Sequence, residues 1–181
     1  LAKERITNYE DNATTTVFDL RLVPGREYNF VAWADFVNED QTGDNHYITT
    51  DGLTNVQVNT ATWKAMDESR DAFTTTELIK DFNSQSGITL TAKRPFAKLR
   101  VVTTDADKLS FYKQIGSIVV SYIDGGVPSS YALVDGSLGA DATVSGVEAE
   151  VVAYADDAAN ECTLLTDYIF APTTGQGAVK V

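Results

Sequence analysis

The chain has 181 residues, enough for one domain and few for two of ordinary size. Its 14 Lys and Arg face 26 Asp and Glu, a net charge of −12, which disfavours nucleic acid and anionic membrane surfaces alike. With 43% hydrophobic residues there is material for a real core, so a disordered chain is excluded.

The 22 Thr, 18 Val and 8 Ile outweigh the 12 Leu. β-branched side chains suit a pleated, half-buried surface better than a helix, so the expected class is mainly β. The opening Leu1-Ala2-Lys3-Glu4-Arg5-Ile6 has no apolar leader, and no run approaches the ~18 apolar residues of a spanning helix. The ends are abrupt, with Gly177–Val181 reading as the start of a strand. A fragment of a longer polypeptide is expected.

In chain order, Thr16–Leu22 alternates, with Phe18, Leu20 and Leu22 on one face and Asp19 and Arg21 on the other. Pro24-Gly25 signals a turn, and Tyr28–Phe36 follows as a strand with Tyr28, Phe30, Ala32, Ala34 and Phe36 facing one way. The two runs predict a hairpin. Asn38–Asp51 is polar and aperiodic, a long surface loop. Leu53–Val58 predicts a short strand and Trp63–Glu68 a helical turn, while Thr75–Phe82 fits a short strand or a helix.

Ile88–Ala92 alternates until Arg94-Pro95 interrupts it, which suits an edge strand or a bulge, and Leu99–Thr103 resumes as strand. Asp105–Gly116 carries Leu109, Tyr112 and Ile115 at helical spacing and predicts a short crossover helix. Ile118–Tyr122 predicts a buried strand closed by Asp124-Gly125-Gly126, with Tyr131–Val134 pairing back and Gly136–Gly139 as a turn. Val147–Ala155 and Tyr168–Ala171 are the last strands, the second stopped by Pro172. Strands at this spacing indicate a two-sheet sandwich, with one or two short helices.

Candidates for chemistry are few. There is no phosphate loop, and one Cys and one His cannot supply a zinc site, so no metal, cofactor or catalytic residue is assigned. Cys162, alone, reads as a small buried hydrophobe. His46 reads as an exposed loop histidine. Ser110-Phe111-Tyr112-Lys113 matches the SxxK pattern without its companion motifs. Glu148 and Glu150 share a strand face, but 26 acids select no glycosidase pair. Asp40, Asp44, Asn45 and Asp51 offer oxygen ligands for Ca²⁺ without EF-hand spacing, and Asn12-Ala13-Thr14 is a glycosylation sequon by pattern. Tyr28, Trp33, Phe36, Tyr47 and Trp63 suggest either a sugar platform or core packing. Trp33, Asp44, His46 and Tyr47 are the residues offered as ligand contacts.

Several segments together resemble a known family. Pro24–Phe36 is similar to the second-hairpin segment of Bacteroidales fimbrillin-like proteins, and so is the loop into Tyr47–Leu53. The likeness continues in Asp71-Ala72-Phe73, in Arg94–Val101 and in Asp167–Pro172, in matching order from about Thr16 to Pro172. It implies a transthyretin-like antiparallel β-sandwich over residues 1–181, the N-terminal part of a two-domain type V pilin. Such proteins are exported as lipoproteins to the outer-membrane surface, are open to trimming by an arginine-specific protease, and polymerise through strands donated between subunits. Here Arg94 precedes Pro95, which resists cleavage, Arg5 is a candidate by position alone, and the single Cys162 lies too far from the N-terminus to be a lipobox cysteine.

The function expected is therefore a non-catalytic fimbrial subunit, shaft, accessory or tip. Its partners would be other pilin subunits and host or bacterial surface ligands, with no nucleic acid. The alternative is an extracellular glycan- or protein-binding sandwich.

Overall fold

A computed structural model describes residues 14–36, 45–49, 53–83, 87–104, 117–150 and 162–171. Among the described residues nine strands run β1 (Tyr28–Asp35), β2 (Tyr47–Ile48), β3 (Asn55–Val58), β4 (Ala72–Ile79), β5 (Phe96–Thr103), β6 (Ser117–Pro128), β7 (Ser130–Ala132), β8 (Asp141–Glu150) and β9 (Cys162–Phe170). Every pairing is antiparallel: β1 with β4, β2 with β3 with β7, β5 with β9, and β6 with β8. The protein is a mainly β, antiparallel sandwich. Two one-turn 3₁₀ helices, Thr60–Thr62 and Glu68–Arg70, are the helical elements among the described residues.

Strand β9 organises the interior, because Leu165 to Phe170 are all buried. Alternation sends Leu165 and Ile169 into one apolar cluster and Phe170 into another. The first cluster joins Val120, Tyr122, Val127 and Val144 of β6 and β8 with Trp63, which follows the turn Thr60–Thr62. The second joins Tyr47, Val56, Ala72, Tyr131 and Leu133, with Val31, Trp33 and Phe96 packed against it. Each fully buried large apolar side chain contributes about 1.5–3 kcal/mol, so the two clusters supply most of the drive to fold.

The outline expected from the sequence holds, and several details change. Thr16–Leu22 forms no strand, so the first hairpin does not exist. β1 spends its ladder on β4 instead, in register from Tyr28↔Ile79 to Asp35↔Ala72. The Pro24-Gly25 turn is present, with Gly25 at φ +71°, but it lays the chain against Phe82 through Gly25 N–H to Phe82 O (2.7 Å) and Phe82 N–H to Arg26 O (3.0 Å). The face of β1 toward the second cluster is Val31 and Trp33, not the even-numbered set, while Phe36 is 56% exposed. Both parities of this strand are bulky. The indole wins because Tyr47, Phe96 and Phe170 stand on its side, whereas Tyr28 packs on Phe82.

Ala72–Ile79 resolves as strand. Ile88–Ala92 is unpaired coil, with one bridge from Lys93 to Thr74, and Phe96 starts the strand beyond Pro95. The helical turn expected at Trp63–Glu68 is replaced by the two 3₁₀ turns that flank Lys64–Asp67. β6 does not close at Asp124; it continues to Pro128 through two register irregularities against β8. Tyr131 pairs with Val56 of β3 rather than folding back on β6. The expected helix Asp105–Gly116 lies outside the described residues, as do Asp40, Asp44, Asp51, Ser110 and Lys113.

Candidate functional site

Two features stand apart from an ordinary sandwich core: a buried polar centre and an unpaired strand-like segment. The first is built on the turn Glu68–Arg70, whose N-cap Asp67 accepts from the Ser69 N–H at 3.0 Å. This turn drives Arg70 inward until it is 2% exposed, against Asp167 at 1%. The guanidinium lies 3.6 Å from the Trp63 ring centroid and places Nη1 2.9 Å from Asp167 Oδ1. Its remaining donors reach Lys64 O and Tyr168 O, each at 3.2 Å.

Asp167 Oδ2 accepts from Trp63 Nε1 (2.9 Å) and from the Tyr122 hydroxyl (2.6 Å). The Tyr47 hydroxyl donates to Arg70 O at 2.5 Å. Burial pushes both tyrosines well above their ordinary values, so they remain donors at any physiological pH. The charges are paired and their other polar atoms satisfied, the condition for tolerating them in a low-dielectric interior. Such a centre joins β2, β6, β9 and the turn, and its chemistry is structural.

Beside it lies a trio that invites comparison with a nucleophilic triad. His46 Nε2 is 2.9 Å from Ser69 Oγ, and Ser69 Oγ donates to Asp67 Oδ1 at 2.5 Å. The polarity is wrong for catalysis. The one hydroxyl proton of Ser69 goes to the carboxylate, so His46 must carry its proton on Nε2 and donate to Oγ. The imidazole is therefore no base for that hydroxyl, and Asp67 does not orient the ring through Nδ1 as a triad acid does. Nδ1 is buried with no hydrogen-bond partner. Burial lowers the His46 pKa below 6.5, opposed by Asp67 and reinforced by Arg70 and Lys64.

The structure brings three of the four suggested ligand contacts together, but inside the protein. Tyr47 is 1% exposed and His46 5%, which corrects the expectation of an exposed loop histidine. The rest of that loop is polar, but His46 is drawn in by Ser69 and by the short strand β2 beside it. Trp33 packs on Tyr47 (ring centroids 5.2 Å), Phe96 and Phe170 (6.3 Å each). Asp44 lies outside the described residues. Arg94 is engaged: Nε and Nη2 hold the Asp71 carboxylate at 2.6–2.9 Å. Among the described residues no group of three or more His, Cys, Asp or Glu is placed to hold a metal ion, and no helix is long and apolar enough to cross a membrane.

The polar centre was missed in the sequence, although one signal was there. Asp167 shares strand parity with Leu165 and Ile169, so a buried carboxylate needing a cationic partner could have been read from its position.

The second feature is Val17–Val23. It keeps the alternation of a strand, yet no described strand pairs with it. Val17 is 80% exposed, Phe18 41%, Leu20 40% and Val23 59%. Its C-terminal end is held by the Tyr28 hydroxyl, which accepts from Val23 N–H at 2.8 Å. A strand-patterned, apolar, unpaired segment is a template for another strand.

A family model described as a family of unknown function (DUF6562) matches residues 2–181. The chain belongs to that family. No curated protein and no solved structure matches the DUF6562 chain.

Proposed function

We propose that this DUF6562 chain is a non-catalytic, fimbrillin-like subunit of the type V pilin kind, displayed at the outer-membrane surface, assembling with other subunits by strand addition and serving adhesion. The observation that carries the reading is Val17–Val23, a strand-patterned segment left outside every described sheet with Val17, Phe18, Leu20 and Val23 exposed. The reversed polarity of His46, Ser69 and Asp67 adds support for a subunit without catalysis. The glycan-platform alternative is less favoured, since Trp33 and Tyr47 spend their rings on the aromatic core.

The test is made on cells carrying the full-length gene product. Surface filaments are sheared from intact cells and probed with an antibody to this domain. The chain is expected in the sheared fraction as a ladder of subunit multiples that resists mild detergent. A chain confined to the cell interior, or found at the surface only as single subunits, overturns the reading.

A further inference from the structure

The segment Val17-Phe18-Asp19-Leu20-Arg21-Leu22-Val23 has a property beyond being unpaired. Its apolar and charged positions are symmetric about Leu20, and the two charges are of opposite sign: apolar, apolar, acid, apolar, base, apolar, apolar, with acid and base exchanged when the segment is read backward. Positions whose numbers sum to 40 stand opposite each other when two antiparallel copies meet at Leu20. Val17 then faces Val23 of the other copy, Phe18 faces Leu22, Asp19 faces Arg21, and Leu20 faces Leu20.

We propose that this segment pairs with the same segment of a second copy of the chain, as a two-fold antiparallel ribbon centred on Leu20. The proposal rests on the reading above only for the segment's use as a strand; a two-fold contact closes on itself, so it yields a dimer, and filament growth uses a separate contact.

The occupant follows from charge complementarity. A two-fold interface is self-complementary by necessity, so each Asp19–Arg21 contact occurs twice. On the side of the ribbon where the charges stand, acid meets base at both positions, flanked by the two Val17–Val23 pairs. On the opposite side Phe18, Leu20 and Leu22 of each copy make one apolar stripe. Sliding the register by two residues would bring like charges or an unpaired charge opposite a valine. Opposite charges directly across antiparallel strands stabilise and like charges destabilise, so the pattern selects one register.

The structure leaves the segment available for this. Asp19 and Arg21 enter no ion pair among the described residues, and Val17–Leu22 enters no ladder. The Pro24-Gly25 turn pinned to Phe82, with Val23 held by Tyr28, fixes where the segment leaves the sandwich. An isolated two-stranded ribbon is marginal in water, so the association is weak and is read across a concentration series.

The experiment is sedimentation equilibrium on the full chain and on Asp19→Arg, Arg21→Asp and the double exchange. All three act at exposed positions, and circular dichroism checks that each folds. Asp19→Arg sets Arg against Arg in both contacts, and Arg21→Asp sets Asp against Asp. Each should weaken self-association about tenfold or more. The double exchange should restore it. Mixing the two single variants should produce a heterodimer tighter than either homodimer, since each cation then meets an anion.

Independently, Leu20→Cys in a Cys162→Ser background should oxidise readily to a disulfide dimer, and Phe18→Cys in the same background should not. A wild-type chain that stays monomeric throughout overturns the proposal, while the filament reading keeps its own test on sheared fractions. A wild-type oligomer indifferent to both charge changes overturns the register and partner but leaves strand addition standing.

Discussion

Replacing Arg70 by Met probes the buried polar centre with little change in volume. The variant removes a guanidinium that is 2% exposed and leaves Asp167, 1% exposed, without its counter-charge. Breaking a buried pair by removing one partner costs about 3–5 kcal/mol, because the remaining charge is stranded. Asp167 keeps three neutral donors, Trp63 Nε1, the Tyr122 hydroxyl and the Tyr168 N–H, while Lys64 O and Tyr168 O lose theirs. These changes pull in opposite directions, so the expected loss stays near the lower end, about 3 kcal/mol. The control is Lys98→Met, which breaks the exposed Lys98–Glu68 pair and should cost less than about 1 kcal/mol. Urea unfolding followed by tryptophan fluorescence compares them, since the Trp63 ring lies directly against the guanidinium. Asp167→Leu combined with Arg70→Met should cost less than the sum of the single changes. If Arg70→Met loses no more stability than Lys98→Met, the pair is not desolvated and the account of the centre is wrong.

Three further outcomes follow from the same geometry. Tyr47→Phe deletes the hydroxyl that donates to Arg70 O and leaves a buried carbonyl short of a donor, so urea unfolding should show a loss of about 1–2 kcal/mol. Gly126→Ala should be far more damaging, because a Cβ there would stand 2.0 Å from Ala142 O on a backbone at φ +72°; loss of β6–β8 amide protection in hydrogen exchange is the readout. The His46 pKa is lowered by burial below its ordinary 6.5, so as pH falls through that value the unfolded chain takes up its proton first and stability drops. Urea midpoints should therefore fall from about pH 6.5 downward in the wild type and change less in His46→Gln. Glu68, held low by hydrogen bonds from Tyr168 and Lys98, adds its own loss only below 4.5, so the two effects separate on the pH axis.

What could be read from the sequence followed the range of each signal. Alternation and punctuation are local, and they located β1, β3, most of β5, the last three residues of β9 and the Pro24-Gly25 turn. Partner choice is not local. Thr16–Leu22 has the pattern of a strand, but a pattern says which residues share a face and not which strand lies beside them; β4, some fifty residues on, took the place beside β1. The face of β1 was ambiguous for a related reason, since both parities carry aromatic residues. His46 was read from its polar neighbours as exposed, yet burial depends on Ser69 and the turn around it. Arg70 and Asp167 meet across almost a hundred positions, so only the parity of Asp167 within an apolar strand hinted at the pair.

The net charge of −12 bears on where such a protein can touch its own kind. Two copies repel at long range, over roughly 8 Å beyond their surfaces at physiological salt. A self-contact must therefore use a surface that adds no further repulsion, and its affinity must come from backbone pairing and apolar burial rather than from net charge. Val17–Val23 meets both conditions. It carries one acid and one base, sums to zero, and offers the backbone groups of Val17–Leu22 outside any described ladder, with Val17, Phe18 and Leu20 already in solvent. The basic residues in and just before β5 do not meet them: Arg94 is spent on Asp71, Lys98 on Glu68 and Arg100 on the Thr163 hydroxyl. On the proposed reading, acidity and strand addition are two parts of one arrangement: charge keeps copies apart at long range, and a short neutral segment is where two would meet.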